Sequence, residues 1–175
     1  PFEKDLKNNV LVMSYITGEN ICDILNDPQK ILDEKTKVVH LLADWFVKFH
    51  TFFKTEEGFR LRGDANLKNF ILSRGHIWGV DFEESRIGKP REDLATLCVS
   101  LLSSDPMFTD EKFQFCQIFL DAYQKSVRWD VEQLNKEISY ALLEQIQWRQ
   151  EDEEVLRKYA NIIRNKGLRV ARHNY

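Results

Sequence analysis

From Leu61 to Glu83 the chain reads L-R-G-D-A-N-L-K-N-F-I-L-S-R-G-H-I-W-G-V-D-F-E. Two apolar runs, residues 70–72 and 77–80, are too short for helices, and the joint between them, residues 73–76, carries Gly75. Short apolar runs split by a glycine-bearing joint predict a β-hairpin. A hairpin brings its two ends together, so Asn69, just before the first run, and Asp81, just after the second, are expected side by side. Asp64 lies on the loop that feeds the first strand. The pattern gathers two carboxylates and one carboxamide oxygen. Such hard oxygen donors suit Mg²⁺, which shares its shell with substrate phosphates.

The segment R-G-D-A-N-L-K-N-F-I-L followed by G-V-D-F-E resembles the catalytic and metal-binding motifs of the protein-kinase-like superfamily. The likeness is strongest to the aminoglycoside phosphotransferase and choline kinase branch, whose loop reads H-G-D-x-x-x-x-N and whose metal motif reads I-D-F-E or I-D-W-E. Protein kinases carry H-R-D-x-x-x-x-N and D-F-G instead. The resemblance runs in order from about Leu11 to Leu102, and three spaced motifs agree. It implies an α+β, mostly α fold: the C-terminal lobe of a kinase-like protein with a small catalytic hairpin and a hinge strand. It also implies ATP and Mg²⁺ as cofactors. Asp64 would accept or orient the proton of the attacking hydroxyl, and Asn69 and Asp81 would hold the metal. Arg62 stands where the family has a His that supports the loop. Asn66 stands where a His or Lys often lies near the transferred phosphate, and Lys68 would be a second phosphate contact, with a solvent-exposed side chain as the rival reading. Glu83 replaces the Gly of D-F-G. Asp93, in E-D-L-A, matches an Asp that anchors the loop backbone.

Upstream, residues 10–16 (V-L-V-M-S-Y-I) read alone as a core strand stopped by Gly18. The resemblance makes residues 10–18 the hinge between two lobes. Met13 would face the adenine pocket, and the backbone of Ser14 and Ile16 would meet the adenine edge. Residues 20–26 predict a short helix closed by Pro28. Residues 33–53 predict a long one, because Val38, Leu41, Leu42, Trp45, Phe46, Phe49 and Phe52 recur every three or four positions. His50, near its end, reads as a packing or capping imidazole. Residues 55–60 read as a polar connector.

Helices are also expected over residues 94–102, after Thr109, after Asp130, and over 153–165. Thr109 is a candidate N-cap, with Phe108 and Phe113 as its staple, and Asp130 with Gln133 reads as a capping box. Arg164, Lys166 and Arg169 suit the last helix's C-terminal end. Residues 107–166 would form the substrate side. There Trp129, Tyr140, Trp148 and Tyr159 near residues 151–154 (E-D-E-E) read as helix core beside a solvated acidic face, with a cation-binding pocket as the rival reading.

Composition narrows the function classes. Twenty-five Lys and Arg against 28 Asp and Glu give a net charge of −3, with no basic run to argue for nucleic acid. No apolar run approaches the ~20 residues of a membrane span. Cys22, Cys98 and Cys116 are widely spaced among apolar neighbours, which points to reduced, buried thiols and a cytoplasmic setting. A complete kinase also needs an N-terminal lobe with a glycine-rich loop and a phosphate-binding Lys. Nine residues before the hinge cannot hold one, so the chain is expected to be a fragment of a longer protein and to turn over no ATP alone. Only 12 residues separate Asp81 from Asp93, too few for the long activation segment that docks peptides. The expected function is transfer of the ATP γ-phosphate to a hydroxyl of a small molecule. The alternatives are an atypical serine/threonine protein kinase and a non-catalytic pseudokinase module.

Overall fold

The computed structural model describes residues 3–5, 7–125 and 131–168. It is α+β and mostly helical. The long amphipathic pattern forms one helix, Leu32–Phe52 (α2). Val38, Val39, Leu42, Phe46 and Phe49 are buried along it, while Phe52, expected on the same face, is 80% exposed. α2 carries the rest of the molecule on two sides. On one, Phe46 meets Phe119 of the helix Asp110–Gln124 edge-on at 5.8 Å. On the other, Trp45 and Phe46 pack against Phe70 at 5.0 and 5.4 Å. Each such ring removed from water contributes ~1.5–3 kcal/mol, which is what fixes the strand of Phe70 to the helix.

That strand pairs antiparallel with its successor. Phe70–Ser73 faces His76–Gly79, with Phe70 opposite Gly79 and Ser73 opposite His76. Arg74 and Gly75 form the turn with φ of 50° and 76°. Two consecutive left-handed residues make the two-residue turn whose twist matches a hairpin. A short strand, Glu19–Asn20, adds to the outer edge of Phe70–Ser73. Asn20 then caps the helix Ile21–Asn26 (α1), its side chain accepting from the Cys22 N–H at 2.9 Å.

Two strand pairings were not legible in the sequence. Phe59–Leu61 pairs with Arg86–Gly88, so the connector expected at residues 55–60 ends in a ladder. Glu3–Asp5 pairs with Val10–Val12. The latter corrects the core-strand reading of residues 10–16. Only three of them form strand, and Val10, Leu11, Val12 and Met13 are 43–63% exposed. A two-stranded ribbon has no second layer against which to bury an apolar face. In chain order the strands are numbered β1 (Glu3–Asp5), β2 (Val10–Val12), β3 (Glu19–Asn20), β4 (Phe59–Leu61), β5 (Phe70–Ser73), β6 (His76–Gly79) and β7 (Arg86–Gly88).

The next helix begins earlier than its apolar pattern. It spans Pro90–Ser103 (α3), with Pro90 in its first turn and the Glu92 carboxylate accepting from the Lys89 N–H at 3.0 Å. Proline's preset φ and a satisfied N-terminal donor start a helix before its first buried residue. α4 (Asp110–Gln124) is capped by Thr109 as expected, with the Phe108 and Phe113 rings 6.4 Å apart. α5 (Val131–Glu144) packs on α3 and on α6 (Glu153–Lys166), which ends at Gly167 with φ of 84°. The expected cap at Asp130, together with Trp129 and Arg169, lies outside the described residues. Cys98 and Cys116 are buried, Cys22 is half-buried, and all three are free thiols. Among the described residues no helix is long and apolar enough to cross a membrane.

Lys112 is a buried cation in this core. Its ammonium donates to the Ser104 carbonyl and, at 2.7 Å, to the Ser104 hydroxyl. Burial pulls its pKa down to about 8, against nearby acidic groups that pull it up. The unfolded value is near 10.4. Between those limits the unfolded chain binds more protons, so stability rises with pH across that window. Below pH 8 both states are protonated and the cost of the buried charge is carried in full. From pH 7.5 to pH 10 the protein is expected to gain about 1–3 kcal/mol relative to Lys112→Met, read by urea denaturation at each pH. A constant difference would mean that Ser104 keeps the ammonium charged throughout.

Candidate functional site

The R-G-D loop is built from below. Asp93, in the first turn of α3, is buried, and its carboxylate accepts three hydrogen bonds. The Arg62 N–H reaches Oδ2 at 2.6 Å and the Gly63 N–H reaches Oδ1 at 3.0 Å. His50 Nε2, from α2, is 3.0 Å from Oδ2. An ionised carboxylate only accepts, so Nε2 is the donor, and in the neutral ring Nδ1 is then an acceptor. Nδ1 takes its bond from the Tyr123 hydroxyl of α4, 2.7 Å away. Burial, aided by the Asp93 charge, pushes the Tyr123 phenol well up, which keeps it a donor. Three helices thus converge on two backbone amides of one loop. His50, read from sequence as a packing group, is the middle of that chain.

Glycine is required inside the loop. Gly63 has a φ of 80°, and a Cβ there would lie 2.0 Å from the Glu84 carbonyl oxygen. The turn after Asp81 therefore returns close over the loop. Ser85 adds a bond from its hydroxyl to the Leu61 carbonyl at 2.8 Å.

Past Asp64 the chain makes a 3₁₀ turn, Leu67–Asn69. The Asn66 carboxamide oxygen accepts from the Lys68 N–H at 3.0 Å and from the Ser100 hydroxyl at 3.3 Å. Asn66 is thus engaged in shaping the loop. Lys68 is exposed, and its carbonyl accepts from Asn20 at 2.7 Å.

Asp64 and Asn69 meet. The Asn69 amide nitrogen donates to Asp64 Oδ2 at 2.8 Å and to the Asp64 carbonyl at 3.3 Å. The Asn69 carbonyl accepts from the Val80 N–H at 2.9 Å, which brings the residue before Asp81 onto the same end of the hairpin. Asp81 itself is exposed and has a φ of 59°.

Arg62 sits underneath, fully buried. Nη1 donates to the Asp81 carbonyl and Nη2 to the Val80 carbonyl. The guanidinium lies 4.2 Å from the Phe82 ring centroid and 5.7 Å from that of Phe70. Burial pulls its pKa down, opposed by the charges of Asp64, Asp81 and Asp93. Of the expected residues, Arg62, Asp64, Asn66, Lys68, Asn69, Asp81 and Asp93 share one loop cluster. Met13, Ser14 and Ile16 do not join it by any contact seen here. β3 runs antiparallel to β5, so the chain before Gly18 leaves past the hairpin's turn, away from the Asn69–Val80 end. The Ser73 hydroxyl ties it there, donating to the Thr17 carbonyl at 2.6 Å.

The cluster's donors fit the chemistry of Mg²⁺. Among the described residues no three Asp, Glu, His or Cys side chains form a self-contained metal cage. One carboxylate, Asp81, and one carboxamide oxygen, Asn69, are the sparse set Mg²⁺ takes when phosphates and waters fill its remaining positions. The cation-binding reading of the distal aromatics is not supported: Tyr159 is buried and stacked on Phe108 at 4.0 Å, whereas Trp148 is 78% exposed. A separate apolar cavity of about 1220 Å³ lies behind the site, between α2, β6 and Phe82. Asp64, Asn69 and Asp81 do not line it.

The chain matches no known family model. Over 82 residues it is 34% identical to the KEOPS complex subunit Bud32 of Pyrococcus abyssi (strain GE5 / Orsay). That match covers 46% of the chain, which spans about a third (33%) of the length of this curated relative. No solved structure matches it.

Proposed function

We propose that the chain is the C-terminal lobe of a kinase-like phosphotransferase, using ATP and Mg²⁺, with a protein hydroxyl as acceptor. The observation that carries this reading is the hydrogen-bonded pair Asp64–Asn69 on a loop whose backbone is held by Asp93. Phosphoryl transfer asks the protein for positioning and charge stabilisation more than for covalent chemistry. Asp64 orients the acceptor hydroxyl and takes its proton. Asn69 and Asp81 hold Mg²⁺, which neutralises phosphate charge when bound. Lys68 supplies a phosphate contact; the adenine edge falls to Met13, Ser14 and Ile16 by resemblance alone, since no contact among the described residues joins them to the cluster. The partial likeness to Bud32, an atypical protein kinase, favours a protein acceptor over the small molecule that the sequence motifs alone favour. One observation keeps the small-molecule reading as the second: β7 and α3 follow Asp81 so closely that no long peptide-docking segment fits between them.

The test is label transfer from γ-labelled ATP by the full-length polypeptide, with casein in one arm and a panel of aminoglycosides and choline in the other. Mg²⁺-dependent label on protein is expected. Label on the small molecules would install the second reading. No Mg²⁺-dependent label in either arm, with nucleotide still bound, would leave a pseudokinase module.

A further inference from the structure

We infer that Arg62 is a positioning residue that clamps the backbone around Asp81 to the R-G-D loop, so that Asp81 keeps its metal-facing conformation only while the guanidinium fork is in place. The inference deepens the phosphotransferase reading and rests on it.

The argument starts from Asp81. A left-handed backbone is unfavourable for a non-glycine residue, and such a conformation persists where its surroundings over-determine it. Asp81, with its φ of 59°, needs a restraint of that kind. The two peptide groups that define its backbone torsions are those before and after it. Arg62 bonds the carbonyls of both: Nη2 that of Val80, Nη1 that of Asp81. The next residue, Phe82, covers the guanidinium face at 4.2 Å. Three consecutive residues are therefore held by one side chain. The Arg62 backbone is itself fixed, through its N–H, to Asp93. One residue thus joins the Asp64 loop to the Asp81 segment.

The cost of the arrangement points the same way. A buried cation carries a desolvation penalty. Arg62 directs its hydrogen bonds to carbonyls, and its Nε has no partner among the described residues. Leu or Met would fill this space at lower cost but could not grip two carbonyls. Lys keeps the charge but lacks the planar fork and the stacking face. The conservative change therefore separates charge from clamp.

The experiment uses the full-length polypeptide as wild type, Arg62→Lys, Arg62→Met and Asp81→Asn. Mn²⁺ with ADP serves as the metal probe, read by electron paramagnetic resonance. Hydrogen exchange is read on peptides covering residues 80–85 and, as a reference, α3. Arg62→Lys is expected to speed exchange at 80–85 at least tenfold, leave α3 unchanged, and weaken Mn²⁺ at least tenfold, approaching Asp81→Asn. Arg62→Met is expected to do the same. Unchanged exchange and Mn²⁺ affinity in Arg62→Lys, with Asp81→Asn impaired, would overturn the clamp and leave the site reading intact. Faster exchange throughout α3 in both Arg62 variants would also overturn it, making Arg62 a core residue. Equal Mn²⁺ binding by wild type and Asp81→Asn would remove the metal reading itself, and the inference with it.

Discussion

Asp64→Asn is expected to leave Mg²⁺–nucleotide affinity nearly unchanged while kcat falls by roughly 10²–10⁴-fold, the range for a positioned proton acceptor. The structure explains why the substitution is clean. Asp64 Oδ2 accepts from the Asn69 amide at 2.8 Å, and an asparagine at 64 still offers an oxygen to that donor. Shape and loop survive, while the negative charge aimed at the acceptor hydroxyl is lost. Asp81→Asn removes an anionic metal donor instead, so both Mg²⁺–nucleotide affinity and turnover are expected to fall. Titrating Mg²⁺–ATP against the two variants, then measuring turnover on the active acceptor, separates the roles. Equal weakening of Mg²⁺–ATP in both would merge the two residues into one metal site. Normal turnover in Asp64→Asn would deny the proton-acceptor role and strengthen the pseudokinase alternative.

What could be read in the chain follows from how local each feature is. The pairing of β5 with β6 is written in residues 70–80, because a two-residue left-handed turn at Arg74–Gly75 and short apolar runs are local signals. The α2 pattern is local too. The β4–β7 pair joins Phe59–Leu61 to residues 25–29 positions away, and nothing in F-R-L or R-I-G announces the partner. Val10–Val12 failed as a core strand for the converse reason: its apolarity was legible, but whether a second layer covers it is a tertiary fact.

The candidate site divides in the same way. Asp64, Asn69 and Asp81 were singled out by spacing and motif, and the hydrogen bond between Asp64 and Asn69 is what the structure adds. Their supports were legible only in part. Asp93 and Arg62 stood out through the resemblance, yet nothing in the sequence placed Tyr123 against His50, or Ser100 against Asn66. One signal was available: a His and a Tyr, each at a core position of an amphipathic helix, must find polar partners once buried.

Asp93→Ala is expected to be the most destabilising single change in the loop's support, at about 3–5 kcal/mol, the range for removing one partner from a buried charged network. Three donors lose their acceptor together. The Arg62 and Gly63 amides are backbone groups that cannot turn to water without moving the loop, and His50 Nε2 is sealed between α2 and α3. For a domain of this size that loss lowers Tm by roughly 6–20 °C. Tyr123→Phe is the matched control. It strands one acceptor, His50 Nδ1, and is expected to cost about 1–3 kcal/mol, the penalty for a single unsatisfied buried group. Thermal and urea denaturation of both variants measures the difference. The ordering matters more than either value. If Tyr123→Phe cost as much as Asp93→Ala, the chain of bonds would have its weight at α4. The R-G-D loop would then be held through helix packing around His50 and Tyr123, not through the carboxylate beneath its amides.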